Sequence, residues 1–281
     1  MPDIINVRYA DIINPRQHDV RTADVNHLTQ DRTIMLREPT TEKLKTMRLD
    51  AMATTWNEQA GKPDVHKLAF DERFGMLVDA EWLHRENKRL ATALREAKLR
   101  LASACIENID YPASRELDRA QIHQLASCRW VVEHQNVLIT GATGTGKTYV
   151  ACAFAQQACR KGYRAIYRRA ARLFSELALA RADGTYARLL AKIARADVLV
   201  IDDFAMTPIT DSERRDLFEV LDDRHDTRST IISSQVPPKR FYDYIQESTH
   251  ADAICDRLIH GAHRLVLKGP SRRDPKEAAE K

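Results

Sequence analysis

The segment Gly141–Thr148 combines glycine, lysine and threonine at the spacing G-x-x-x-x-G-K-[ST], which is typical of loops that bind nucleotide phosphates. Its glycines leave room for successive backbone N–H groups to point at an anion. Lys147 is expected to place its charge on the β- and γ-phosphates of ATP, and the Thr148 hydroxyl is expected to ligate Mg²⁺. The residues predicted to line the phosphate site are Gly141, Ala142, Thr143, Gly144, Thr145, Gly146, Lys147 and Thr148.

Chance agreement with this pattern is rare, at about one chain in a hundred of this length for average composition. The chain has nine glycines among 281 residues, and three of them fall between positions 141 and 146. An apolar run precedes the loop and a helical pattern over Tyr149–Arg160 follows it, as the motif requires. We therefore predict ATP and Mg²⁺ as the cofactors.

A pair of adjacent acids, Asp202 and Asp203, follows the apolar run Val198–Ile201. Two carboxylates that leave a buried strand are costly unless they face a metal or polar groups. Asp202 is expected to hold Mg²⁺ through its water shell, and Asp203 to orient and polarise the attacking water. A helix cap or turn is the alternative interpretation, but the position of the pair some fifty residues after the loop favours a metal site and ATP hydrolysis.

Short apolar runs separated by longer helical patterns predict the elements that position these motifs. Alternation of this kind indicates an α/β domain with a parallel five-stranded sheet and helices on both faces. The predicted strands are Val137–Thr140, Arg164–Tyr167, Val198–Ile201, Thr230–Ser233 and Arg264–Leu267.

The region before this domain has a different texture. Because residues 1–34 are polar and irregular, we predict that they form a disordered leader. We predict a small all-helical N-terminal domain over residues 35–104 and the ATPase domain over residues 105–281. One helix face would be either an ordinary packed amphipathic surface or a docking surface for a partner protein. Its members recur in steps of three and four: Met76, Ala80, Leu83, Asn87, Leu90, Leu94, Ala97 and Leu101.

Composition limits the cellular compartment and the cysteine chemistry to be expected. No apolar run approaches the roughly 20 residues that cross a bilayer, so we expect a cytoplasmic protein with no membrane partner. The five cysteines form no C-x-x-C pair and no zinc-like cluster, which indicates reduced, buried thiols. They are Cys105, Cys128, Cys152, Cys159 and Cys255.

Together these motifs resemble an AAA+ ATPase of the DnaC/IstB-like clade, and most of all an IstB-type helper ATPase of insertion-sequence transposition. The resemblance implies that Thr230–Gln235 is the sensor 1 strand, with Gln235 preferred over Ser234 as the sensor. It also implies that Arg257 is the arginine finger, which completes the ATP site of a neighbouring subunit. Arg273 matches sensor 2, with Arg272 as a near rival.

The function that this resemblance implies is that of a self-assembling, DNA-binding ATPase that acts in DNA recombination. It would oligomerise through the ATP site on duplex DNA, select a target and recruit or activate a transposase. A helicase loader of the DnaC type, acting on single-stranded DNA, is the alternative within the clade. A small-molecule kinase would share the phosphate loop but would have no use for an arginine finger. Many AAA+ proteins carry Glu where this chain has Asp203, so hydrolysis is expected to be slow, and a scaffold that binds ATP without hydrolysing it is a further alternative.

A one-sided charge distribution predicts where DNA would bind. Residues 160–195 contain ten basic residues and two acidic ones, a net charge of +8 against +4 for the whole chain. Such a cluster suits a phosphate backbone, and a solvated Arg-rich surface is the simpler alternative. The resemblance favours Arg168, Arg169 and Arg172 as the DNA contacts.

Overall fold

A computed structural model describes residues 38–246 and 248–272. The predicted leader at residues 1–34 and Arg273 lie outside the described residues. Within the described parts, no helix is both long and apolar enough to cross a membrane. The chain divides into two compact units, of which one ends at Glu86 and the other begins at Asn87. The boundary predicted near residue 105 lies within the second unit.

The first unit is helical. Its elements are α1 at residues 38–46, α2 at Asp50–Ala60, a 3-10 turn at Val65–Lys67 and the first part of α3, Phe70–Ala97. The Glu81 carboxylate accepts hydrogen bonds from the backbone N–H groups of Ala51 and Met52 at 3.1 and 3.2 Å. These N–H groups lie at the start of α2, where a negative charge is favourable. A hydrogen bond from Arg85 is the main cause that lowers the pKa of Glu81, so the carboxylate that anchors α2 is charged at neutral pH.

The second unit contains one parallel sheet, as predicted. Its strands are β1 (Val137–Gly141), β2 (Ala165–Arg169), β3 (Val198–Phe204), β4 (Ser229–Ser234) and β5 (His263–Leu267). Their order in the sheet is β2-β3-β4-β1-β5, and every neighbouring pair is parallel. The carboxyl ends of β1, β3 and β4 therefore lie side by side, because neighbouring parallel strands end at the same edge of the sheet.

Helices cover both faces of this sheet. They are α4 (Arg119–Ala126), α5 (Arg129–Val132), α6 (Lys147–Arg160), α7 (Ala170–Ala182), α8 (Tyr186–Ala194), α9 (Asp211–Asp222), α10 (Phe241–Ile245) and α11 (Ser248–Ile259). Short 3-10 turns occupy Ile106–Asn108, Ala113–Arg115 and Pro238–Arg240.

Two hydrophobic clusters fill the space between sheet and helices. Successive residues of β3 alternate between them, with Val198 and Val200 in one cluster and Leu199 and Ile201 in the other. All four side chains are fully buried. A strand that is apolar on both faces is the pattern of a parallel sheet covered on two sides. The continuous apolar runs in the sequence therefore predicted these strands correctly.

The predicted helix face on α3 is divided between the two units. Leu90 and Leu94 pack against the first hydrophobic cluster, of which Ala97 is a fully buried member. Met76 and Leu83, which belong to the first unit, are 43% and 60% exposed. All five cysteines are free, and four of them are buried as predicted, whereas Cys105 is only half-buried.

Arg224, just after α9, is a buried charge with a structural role. It is 1% exposed, and it donates hydrogen bonds to the carbonyl oxygens of Ile193, Ala196 and Ser229 and to the Thr230 hydroxyl. Burial lowers the pKa of Arg224 to about 9, which leaves the guanidinium charged at neutral pH. The side chain thereby ties the carboxyl end of α8 to the start of β4.

Candidate nucleotide-binding site

The phosphate loop begins where β1 ends and finishes at the amino end of α6. A Cβ at Gly141 would lie 2.2 Å from the Leu267 carbonyl oxygen of the neighbouring strand β5, so no larger residue fits. Gly146 precedes α6 with a φ of 92°, a conformation that favours glycine. The sequence pattern thus reflects both the close approach of β5 and the sharp entry into the helix.

The lysine and threonine of the motif lie on the first turn of α6. The Lys147 ammonium group donates to the Ala142 carbonyl oxygen at 2.8 Å, across the loop from its own helix. The Thr148 hydroxyl donates to the two Asp202 carboxylate oxygens at 3.1 and 2.9 Å. The two motifs predicted to form one site therefore meet in space, although 54 positions separate these two residues in the sequence.

Asp202 lies at the carboxyl end of β3 and is completely buried. Besides Thr148, its carboxylate accepts a hydrogen bond of 2.6 Å from the Tyr167 hydroxyl and another from the Ser233 hydroxyl. Burial, and after it the hydrogen bond to Asp202, raises the pKa of Tyr167, so this phenol remains a proton donor. Three hydroxyl groups fix the orientation of one carboxylate, since hydrogen bonds to an ionised acceptor are strong.

Tyr167 and Ser233 were not identified from the sequence. Each lies towards the carboxyl end of a strand next to β3, Tyr167 on β2 and Ser233 on β4. That position was the available signal, because the ends of neighbouring parallel strands converge on the same edge as Asp202.

Asp203 points to a different environment from its neighbour. Its φ is 55°, and the pairing of β3 with β4 shifts between Ile201 and Phe204. Such an irregularity re-aims a side chain. The Asp203 carboxylate forms an ion pair with Arg169, with contacts of 3.0 Å to Nε and 2.9 Å to Nη2, and Arg100 Nη1 lies 3.8 Å away. Asp202 is therefore held mainly by hydroxyl groups, with Arg100 Nη1 at 4.0 Å, whereas Asp203 is held by Arg169 and Arg100.

The end of β4 brings a further polar group to the loop. The Thr143 hydroxyl donates to Gln235 Oε1 at 2.8 Å. Ser234 is buried and donates to the Phe204 carbonyl oxygen at 2.8 Å. Of the two residues considered for sensor 1, Gln235 thus contacts the phosphate loop, whereas Ser234 is engaged with β3. The sensor role of Gln235 stays a prediction.

The chain after β5 closes over the other side of the loop. The Arg272 backbone N–H donates to the Gly144 carbonyl oxygen at 3.0 Å, and its guanidinium pairs with Asp110. Arg115 is 5% exposed and donates to the Thr145 carbonyl oxygen at 3.1 Å. Burial, followed by the nearby Arg272 charge, lowers the pKa of Arg115.

These segments enclose a cavity beside the loop. It has a volume of about 370 Å³ and is lined by residues 268–272, by Thr145, and by Asp110, Pro112, Ser114 and Arg115. This volume lies within the range of about 300–1,000 Å³ that is usual for small-molecule sites. The position next to the loop suits the nucleoside part of a bound nucleotide.

The predicted metal ligands fit Mg²⁺. In nucleotide sites Mg²⁺ is usually held by one or two protein oxygens, with substrate phosphates and waters completing its shell. Thr148 and Asp202 supply a hydroxyl and a carboxylate at one point. Within residues 38–246 and 248–272 there is no cluster of three or more His, Cys, Asp or Glu side chains that would form an all-protein metal cage.

Arg257 lies at the opposite edge of the sheet from the loop. Its carbonyl oxygen accepts a hydrogen bond of 2.7 Å from the side chain of Asn136, the residue before β1, whereas the loop follows the other end of that strand. The guanidinium contacts Asp222 at 2.6 Å and lies 4.8 Å from the ring centroid of Phe218. The structure therefore does not bring Arg257 to the nucleotide site of its own chain.

The three arginines predicted to contact DNA all have carboxylate partners. Arg168 and Arg172 share Glu176, at 2.8 and 3.1 Å, and Arg169 is held by Asp203. The side chain of Arg168 is 12% exposed, whereas that of Arg172 is 74% exposed. Their role in binding DNA stays a prediction, and Arg172 is the member most open to solvent.

The chain is similar in sequence to a known family of proteins. The sequence model of the IstB-like ATP binding protein family matches residues 42–279. The chain is 43% identical over 239 residues to a Sinorhizobium fredii protein that is named as an insertion sequence ATP-binding protein, covering 85% of this chain and 97% of that one. It is 45% identical over 203 residues to a similarly named Pseudomonas fluorescens protein, covering 72% of this chain and 88% of the relative.

Solved structures show the same fold at low sequence identity. The DnaC helicase loader matches with a TM-score of 0.50 at 18% identity, covering 59% of this chain and 97% of that one. DnaI matches with a TM-score of 0.51 at 22% identity, covering 61% of this chain and 91% of that one. These likenesses confirm the predicted α/β fold with its parallel five-stranded sheet.

Proposed function

The chain belongs to the IstB-like ATP-binding protein family, and from that premise we propose that it is a slow, DNA-stimulated ATPase that assembles on duplex DNA and directs a transposase to its target. The observation that carries the proposal is the contact between Thr148 and Asp202, which joins the phosphate loop to the acidic strand end. The names of the relatives, which refer to insertion sequences, support a role in transposition.

Each residue of the site has a separate task in hydrolysis. Bound Mg²⁺ would neutralise the charge that develops on the phosphates of ATP. Lys147 would hold the β- and γ-phosphates, Thr148 would ligate the metal, and Asp202 would hold it through its water shell. Asp203 orients the attacking water. The protein supplies position and charge and forms no covalent intermediate.

The ion pair between Asp203 and Arg169 supports slow basal turnover. Both Arg169 contacts, at 3.0 and 2.9 Å, are to Oδ2 of Asp203, so the guanidinium competes with water at that oxygen and weakens the carboxylate as a hydrogen-bond acceptor. Asp203 would therefore orient the attacking water most effectively when the pair is open. The short aspartate side chain, which reaches less far than a glutamate, acts in the same direction.

The position of Arg257 supports assembly through the ATP site. A residue at the far edge of the sheet contributes to hydrolysis only if it reaches the nucleotide of a second copy of the chain. Neighbouring copies would then present the loop edge of one sheet to the Arg257 edge of the next. Hydrolysis would thus report whether the assembly has formed.

Two surfaces support the proposal that the protein binds duplex DNA and a transposase. The segment 160–195, with its net charge of +8, suits duplex DNA, and Arg168, Arg169 and Arg172 remain the predicted contacts. In the first unit, α3 exposes Phe70, Phe74, Trp82 and Leu83 to between 50% and 69%. Large exposed apolar side chains grouped on one helix are typical of protein-binding surfaces, and the transposase is the partner proposed for them.

The test of the function is ATP turnover measured with and without duplex DNA. We expect slow hydrolysis that duplex DNA accelerates, and no hydrolysis in Lys147→Ala or Asp202→Asn. Electron microscopy of the protein with ATP and duplex DNA should show rings or filaments on the DNA. Fast turnover that does not change when duplex DNA is added would contradict the proposal. So would a protein that stays monomeric under all conditions.

A DnaC-like helicase loader is the second candidate, because the DnaC helicase loader has a similar fold. It would prefer single-stranded DNA and bind a replicative helicase. Affinities for a duplex and for a single strand of the same length separate the two. A clear preference for the single strand would favour the loader.

A further inference from the structure

A basic groove lies at the edge of the second unit, apart from the nucleotide site. It has a volume of about 700 Å³, compared with about 370 Å³ for the cavity beside the loop. The carboxyl end of α3, the start of the edge strand β2 and one face of α8 form its walls. Its six basic residues are Arg95, Lys98, Arg164, Arg188, Lys192 and Arg195, and the acidic residue among its lining is Glu96.

The charges in this groove differ from those of the predicted DNA contacts. All six basic side chains are exposed. Within the part of the chain that the structure describes, Arg164 pairs with Asp197 at 4.0 Å and the other five form no ion pair. Arg188 also lowers the pKa of Asp183, as a minor contribution behind the hydrogen bonds from Thr185. Five like charges without bound carboxylates repel one another, so an anion in the groove would stabilise the folded chain.

The spacing of the bases on α8 suits an extended anion. Arg188, Lys192 and Arg195 follow one another by four and three positions and therefore lie on one face of the helix. At a rise of about 1.5 Å per residue, they span about 10 Å. A DNA strand carries one phosphate per about 3.4 Å of helix axis, so about three phosphates match this length.

Arg224 makes this face rigid. It donates to the carbonyl oxygens of Ile193 and Ala196, on either side of Arg195, and to the Ser229 carbonyl oxygen at the start of β4. The end of α8 is thereby fixed to the sheet. The bases of the groove are thus presented on a fixed element, which reduces the entropy lost on binding.

From this arrangement we propose that the groove between α3, β2 and α8 is a second contact for the DNA backbone, in addition to the predicted arginines near the start of α7. The inference rests on the proposed function, since it names where the duplex is held. It assigns no base preference, because contacts to phosphates carry no sequence information. An acidic protein segment would recognise the same charges, and the experiment below separates the two.

The test compares two variants with the same change in charge. Arg188→Gln with Lys192→Gln removes two groove charges, and Arg215→Gln with Lys239→Gln removes two exposed charges elsewhere in the second unit. A labelled duplex of about 30 bp is titrated with each protein, with ATP and Mg²⁺ present, at several salt concentrations. Binding of a fluorescent ATP analogue shows that each variant is folded.

The expected result follows from counterion release. Each lost phosphate contact lowers the slope of log K against log salt by about 0.9, so the groove variant should lose about 1.8. At 0.15 M salt the same relation predicts binding weaker by about 30-fold. The control should keep the wild-type slope and affinity.

Three results would overturn the groove proposal. Equal affinity and slope in wild type and groove variant, with the wild-type protein binding the duplex, refutes the groove but leaves the proposed function standing. A wild-type protein that fails to bind the duplex at low salt refutes the proposed function and the groove with it. A groove variant that loses affinity for a polyglutamate peptide but keeps its affinity for DNA assigns the groove to an acidic protein instead.

Discussion

Replacing Arg169 with glutamine should accelerate ATP hydrolysis in the absence of DNA. The substitution removes the charge that holds Asp203 at 2.9 Å and keeps a side chain of similar length. The side chains of Arg169 and Asp203 are 56% and 25% exposed, so solvent screens the pair and its strength falls in the range of about 0.5–1 kcal/mol. If the pair must open before Asp203 orients water, its removal should raise kcat about two- to fivefold.

The assay is steady-state release of phosphate at saturating ATP and Mg²⁺, without DNA. Arg172→Gln is the matched control, because Arg172 is also exposed but pairs with Glu176 rather than Asp203. Its kcat should equal that of the wild type. Asp203→Asn should reduce hydrolysis to the background, and the double variant Asp203→Asn with Arg169→Gln should be equally inactive.

Three outcomes would refute this reasoning. A lower kcat in Arg169→Gln would mean that the arginine assists hydrolysis directly, for example by holding Asp203 in its active position. An unchanged kcat, with Asp203→Asn inactive, would mean that opening of the pair does not limit turnover. A gain that also appears in Arg172→Gln would assign the effect to general loss of charge.

Three further predictions concern the support of the site and its assembly. Tyr167→Phe removes one of three hydroxyl groups bound to the buried Asp202 carboxylate, so the free energy of unfolding should fall by about 1.5–3 kcal/mol in a urea titration. Arg224→Lys cannot serve three carbonyl oxygens and a hydroxyl together, so the unfolding free energy should fall by about 2–5 kcal/mol. Lys147→Ala and Arg257→Gln should each abolish hydrolysis. A 1:1 mixture of the two proteins should regain about a quarter of the wild-type rate. The reason is that a random assembly pairs an intact loop with an intact arginine at about one site in four.

Each of these predictions has a control or a contrary result. Tyr163→Phe, at a half-buried tyrosine, and Arg215→Lys, at an exposed arginine on α9, should leave the unfolding free energy within about 0.5 kcal/mol of wild type. Equal losses in variant and control would contradict the roles given to Tyr167 and Arg224. A mixture that stays inactive, although both variants bind ATP, would show that Arg257 does not act on a neighbouring subunit.

The sequence predicts the fold well because the signals that carry it are local. A phosphate loop is a contiguous run, and the strands of a covered parallel sheet are continuous apolar runs, so all five were found. The meeting of Thr148 with Asp202 was also predictable, since the motif needs an acid at the end of another strand of the same sheet, although β4 lies between β1 and β3. In each case the residues next to the motif in the sequence are enough to identify it.

The contacts that were missed depend on which strands are neighbours. Tyr167 and Ser233 reach Asp202 from β2 and β4. The sequence of a single strand does not reveal which strands lie next to it in the sheet. The same holds for Arg169. The sequence analysis assigned its charge to DNA binding. Its partner Asp203 lies 34 positions away on β3, and the pairing of β3 with β2 is known only from the structure.

The two adjacent aspartates show why spatial neighbours decide chemistry that residue type alone does not. Asp202 pairs in register with Arg169 of β2 and is fully buried, and three hydroxyl groups fix its carboxylate where the metal is proposed to bind. Asp203 turns away because its φ is 55°, and it meets Arg169 instead. Since Tyr167 and Arg169 both belong to β2, one strand holds both acids, the first through a hydroxyl and the second through an ion pair. A displacement of the end of β2 would therefore alter the orienting of water at Asp203 more than metal binding at Asp202, because Thr148 and Ser233 would still hold the Asp202 carboxylate.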